Sequence, residues 1–131
     1  MGLEKGLEKL FEEDGEVEGF KGIADLQEGV PKEVSFTSTV TGEDNKFPNG
    51  EDGGWGTMTR HADGTVDVSY KGSLKKDKDQ IVWRSHEMSK VEGGKLRGLE
   101  IVTGFSQRII IMETEIDLHS NKFHNTAYEW K

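Results

Sequence analysis

The sequence predicts a mainly β fold, an antiparallel up-and-down barrel of about eight strands preceded by a short amphipathic helix. Three observations predict it. From Glu16 onward, Val, Ile, Thr, Phe, Tyr and Trp alternate with polar residues at period two, as in strands half buried in a sheet. The alternating runs are short and separated by Gly, Asp, Asn and Pro clusters, as in sequential hairpins. Seventeen glycines among 131 residues suit a strongly bent sheet with many turns.

The chain reads as a single domain, with the helix in 1–14, the barrel in 16–131 and a long flexible loop in 42–54. Leu3, Leu7, Leu10 and Phe11 share one helical face, and Gly15 stands where a helix would end. A helix this short needs a docking surface, either the barrel mouth or a second copy of the chain. The predicted strands are Glu16–Ala24, Glu33–Thr41, Trp55–His61, Thr65–Leu74, Gln80–Lys90, Lys95–Gly104, Arg108–Leu118 and Lys122–Lys131. Ala62-Asp63-Gly64 marks a tight hairpin. The 42–54 stretch offers only Phe47 to bury, so it reads as a mobile loop over the rim or as a lid.

Sequential hairpins leave two exposed edges unless the sheet closes, which favours a barrel over the alternative, a two-sheet sandwich. The stretch from Lys95-Leu96-Arg97-Gly98 through Arg108-Ile109-Ile110-Ile111 to Tyr128-Glu129-Trp130-Lys131 resembles the C-terminal strands of small β-barrel families of calycin-like or allene oxide cyclase-like shape. The resemblance implies a barrel with a small-molecule cavity. It carries over no catalytic residue.

Composition excludes several classes. The net charge of −8 speaks against nucleic acid as a partner, since phosphate contacts need clustered Lys and Arg. The absence of cysteine removes disulfides and thiolate metal sites and suits a cytoplasmic location. No apolar run is long enough for a membrane-spanning helix. His61, His86, His119 and His124 are dispersed, without the spacing of a metal site. No cofactor motif is present.

Period two also places side chains. Val34, Phe36, Ser38 and Val40 form one inner row, Val66, Val68 and Tyr70 a second, and Ile110, Met112, Thr114, Ile116 and Leu118 a third. The phase of Ile81–Met88 stays open: either Val82, Arg84, His86 and Met88 face inward, or Ile81, Trp83, Ser85 and Glu87 do. The first phase yields a polar anchor, with Arg84 as cation and His86, Tyr70 and Ser38 as donors. The function this favours is interior binding of a small amphipathic or anionic molecule. One alternative is a small isomerase or cyclase, with His86 as acid/base and Glu87 or Glu113 as its partner. Another is an interaction module, a homodimer formed through Leu3, Leu7, Leu10 and Phe11.

Overall fold

The computed structural model describes residues 6–131. Eight antiparallel strands close into one barrel in sequence order. They are β1 (Glu8–Glu18), β2 (Lys32–Gly42), β3 (Gly50–Arg60), β4 (Thr65–Lys76), β5 (Asp79–Glu92), β6 (Lys95–Thr103), β7 (Ile109–Asp117) and β8 (Lys122–Trp130). The barrel predicted from the alternation is therefore present, and its seam is the β1–β8 pair, running from Glu8↔Glu129 to Glu16↔Lys122. Closure removes every open edge among these strands.

The N-terminal helix is not found among the described residues. Glu8–Glu18 is a strand, and the only helical turn among the described residues is Ile23–Asp25, while Leu3 lies outside them. A short amphipathic segment is marginal as a helix, whereas this one gains a ladder on both sides, to β2 and to β8. A bulge between Lys9 and Phe11 lets both Leu10 and Phe11 point inward, and both are buried. Their apolar surface is thus spent in the chain's own core, which removes them from the expected helix-mediated dimer. Gly15 is a strand residue, not a helix end. A Cβ there would sit 2.3 Å from the Thr37 carbonyl oxygen and 2.6 Å from the Phe123 ring.

The first predicted strand also moves. Residues 19–31 form no long strand but fold across one end of the barrel, where Phe20 and Leu26 are buried and Ile23 packs against the core. Asn121 Nδ2 ties this plug down by donating to the Phe20 carbonyl at 2.6 Å, and Arg60 Nη1 donates to the Leu26 carbonyl at 3.4 Å.

The expected 42–54 loop is shorter than the sequence suggested, because β3 begins at Gly50. Residues 43–49 fold over the opposite end of the barrel. Phe47 is only 5% exposed and stacks on Phe11 with ring centroids 4.4 Å apart, while Phe105 meets it edge-on at 5.0 Å. Polar ties hold this cover: Lys9 Nζ lies 3.1 Å from Glu43, and Arg108 Nη1 donates to the Lys46 carbonyl at 3.0 Å.

Candidate functional site

Each strand sends a polar side chain into the barrel. They are Glu13 from β1, Ser38 from β2, Asp52 from β3, Tyr70 from β4, Ser85 and Glu87 from β5, Glu100 from β6, Thr114 from β7 and Asn125 from β8. Lined by most of these side chains and by the Phe11–Phe47–Phe105 cover lies a cavity of about 40 Å³. Four of its lining residues are acidic (Glu13, Asp52, Glu87 and Glu100), none is basic, and the remainder are largely aromatic and aliphatic.

The carboxyls fall into two pairs. Glu13 accepts from Ser38 Oγ at 2.5 Å and from Asn125 Nδ2 at 3.0 Å, so both its oxygens have donors. Asp52 stands beside it. Burial first, then the charge of Glu13 and a hydrogen bond to it, push the Asp52 carboxyl up to about 9. Asp52 thus holds its proton at neutral pH and donates it to Glu13. On its other side Asp52 Oδ1 accepts from Trp83 Nε1 at 2.8 Å.

Glu87 and Glu100 form the second pair, opposed across the β5–β6 ladder. Burial drives both carboxyls up. The neighbouring Glu87 charge raises Glu100 further, while hydrogen bonds from Ser89 and Glu100 oppose the rise at Glu87. Ser89 Oγ donates to Glu87 Oε2 at 2.5 Å, and Glu100 supplies the shared proton. The Tyr70 hydroxyl is pushed well up by burial and then by Glu87, Glu100 and Glu13. The Thr114 hydroxyl is buried without a hydrogen-bond partner.

Glycines make room for this belt. Gly54 on β3 faces Gly72 on β4. A Cβ on Gly72 would lie 2.6 Å from Trp83 Cζ2, so the bare backbone there lets the indole pass over β4 to reach Asp52 on β3. Phe36 sits among the rings, with its centroid 5.4 Å from Tyr70, 5.6 Å from Trp83 and 6.0 Å from Phe123.

The structure separates the four residues expected to form the anchor. Ser38 and Tyr70 face inward as the alternation predicted. Arg84 and His86 face outward, because β5 takes the other phase and buries Trp83, Ser85, Glu87 and Ser89. In this phase the buried Glu87 finds two donors inside, Ser89 Oγ and the proton-bearing Glu100, while the Arg84 guanidinium stays in water. His86 and Glu87 therefore lie on opposite faces of the sheet and form no acid/base pair, and Glu113 stands on the outer face of β7.

Sequence reasoning missed three of the four acids. Asp52 lay in a glycine-rich run read as loop, Glu13 on the polar side of a presumed helix, and Glu100 among residues given no phase. The signal for Asp52 was available, since Asp52, Gly54, Gly56 and Met58 share one strand face.

Fold and interior define a small closed β-barrel protein with a carboxyl-rich, aromatic-lined cavity. It is similar to the crystal structure of a protein of unknown function from Clostridium acetobutylicum ATCC 824, with a TM-score of 0.68 and 14% identity over 96% of this chain and 99% of that one. At this identity the likeness concerns the fold. No family model and no curated protein matches the chain, so no named barrel family, calycin-like or allene oxide cyclase-like, is supported. Among the described residues no group of three or more His, Cys, Asp or Glu is arranged to hold a metal ion, and no helix is long and apolar enough to cross a membrane.

Proposed function

We propose that the barrel is a binding protein for a small organic cation, an alkylammonium group seated among Glu13, Asp52, Glu87 and Glu100. The observation that carries this reading is the lining itself: four acidic side chains and no basic one face a single cavity. Buried carboxyls without a cation are costly when ionised, so in the empty barrel protons take the cation's place. An ammonium offers three donors to the acceptor oxygens and a charge for the faces of Trp83, Phe36 and Phe123. A volume of about 40 Å³ holds roughly three water-sized positions, which suits a cation of only a few non-hydrogen atoms. In place of the expected amphipathic or anionic ligand this reading puts a cation, because Arg84 and His86 lie outside.

The test is titration with ethylammonium chloride, followed by calorimetry and amide NMR against sodium chloride at equal ionic strength. Saturable shifts at Trp83 and its neighbours are expected, weakened at least tenfold in the Asp52→Asn, Glu100→Gln double variant. Spectra identical to the sodium control, or equal affinity in the double variant, would reject the reading.

A second reading, an isomerase or cyclase, rests on Asp52 being proton-bearing at neutral pH and facing the same cavity. It requires turnover of an uncharged substrate that Asp52→Asn abolishes, whereas the binding reading requires none.

A further inference from the structure

We infer that the outer face of strands β2–β6 carries a second site, separate from the interior, for a small aromatic anion. An open surface groove of about 980 Å³ runs across these strands on the solvent side. The registers place its side chains in rows. Ser35 opposes Trp55, Trp55 opposes Lys71, Lys71 opposes Arg84, and Arg84 opposes Thr103.

Two features of that row call for a ligand. Lys71 and Arg84 are like charges directly opposite one another, an unfavourable placement in a ladder. Neither has an ion pair among the described residues, although the chain carries 25 acidic residues and a net charge of −8. Beside them Trp55 is 64% exposed, presenting an indole that no neighbouring ring covers. One occupant satisfies both: a ring stacked on Trp55 whose carboxylate or phosphate lies between the two cations. The groove is also polar along its length. Glu18 and Glu33 line the far end, while His86 and Thr103 lie at the end with Arg84. An anion is therefore turned away from one end and drawn to the other, which fixes how the ring lies.

Phenyl phosphate, benzoate and phenol share a ring and differ in charge, so they are the probes. The readout is the indole N–H NMR signal of Trp55, assigned through Trp55→Phe. Trp130 is 55% exposed and outside the groove, so its signal is the internal control. Phenyl phosphate or benzoate should move the Trp55 signal saturably while Trp130 stays in place, and phenol should bind at least tenfold more weakly. The tighter of the two anions assigns the phosphate or carboxylate class. The Lys71→Ala, Arg84→Ala double variant, both positions being solvent-facing, should keep its circular dichroism spectrum and lose at least tenfold in affinity. The inference is overturned if Trp55 and Trp130 respond alike, if phenol binds as well as the anions, or if the folded double variant binds like the parent. None of these outcomes depends on ethylammonium binding inside the barrel.

Discussion

Glu87 and Glu100 face one another across the β5–β6 ladder at 2% and 4% exposure, joined by a hydrogen bond that requires one of them to keep its proton. With Glu13 and Asp52 in the same cavity, the barrel interior is organised around protons held where charges would be costly. Its behaviour under changes of pH and sequence follows from that.

Stability should fall as pH rises through the neutral range. Asp52 titrates at about 9 in the folded chain, against about 4 when unfolded. Between those values the folded state binds a proton that the unfolded state has released, so stability decreases with pH by up to about 1.4 kcal/mol per unit for that one group. It is fully present below about pH 4 and exhausted above about pH 9. Glu8, Asp25, Asp63 and Asp117 act in the opposite sense, being held below their ordinary values by Lys131, the Lys21 N–H, Thr65 and the His119 N–H respectively. Their contribution is lost in acid. Urea denaturation from pH 4 to 9 should show the decline, and Asp52→Asn should flatten it.

Glu100→Gln and Glu100→Ala should diverge. The amide keeps a donor for Glu87 and cannot ionise, so at pH 8 the variant should match or exceed the parent in stability. Alanine removes that donor and opens a void, at a cost of about 2–4 kcal/mol. Chemical denaturation of both variants at one pH distinguishes these effects.

Phe47→Ala should uncover the cavity. The ring stacks on Phe11 and is met edge-on by Phe105, so its loss should cost about 3 kcal/mol. Binding of an environment-sensitive apolar dye, absent in the parent, should accompany the drop.

Gly72→Ala should displace Trp83. The added methyl would press on the Gly53 carbonyl oxygen of the neighbouring strand and lie 2.6 Å from the indole, so β3 and β4 must part and the ring must retreat from Asp52, with overpacking costing about 3 kcal/mol. A red shift of tryptophan emission and a lower midpoint are expected. Gly64→Ala, where nothing lies within 4 Å, should show no such emission shift.

Ammonium binding should release protons. Each cation that enters replaces a proton held by Asp52 or by the Glu87–Glu100 pair, so calorimetry in buffers of different ionisation enthalpy should give about one proton released per cation. Affinity should rise with pH toward about 9, then fall as the amine itself loses its charge near about 10.4.

What the sequence made legible was the apolar alternation. Val34–Val40, Val66–Tyr70 and Ile110–Ile116 are inner rows because each sets apolar against polar residues. β5 gave no such contrast: Ile81, Trp83, Ser85 and Glu87 are as mixed as Val82, Arg84, His86 and Met88. An interior that is itself polar erases the pattern that identifies interiors, so the candidate site was hardest to read where its chemistry is densest. The N-terminal segment misled for another reason. Leu3, Leu7, Leu10 and Phe11 fit a helical period, yet from Glu8 onward a bulge and pairing with β2 and the far C-terminal β8 decide the conformation. Local spacing carries no information about those partners.

The hydrogen bond from Asn125 to Glu13 joins residues 112 positions apart, across the seam where the last strand meets the first. Nearly the whole chain must be assembled before Glu13 acquires this neighbour, so barrel closure is an event of high contact order and correspondingly slow. Until then the acids destined for the interior stay hydrated and ionised. Proton uptake and closure therefore belong to one cooperative step, and the rate of acquiring the native state should slow as the solution becomes more alkaline.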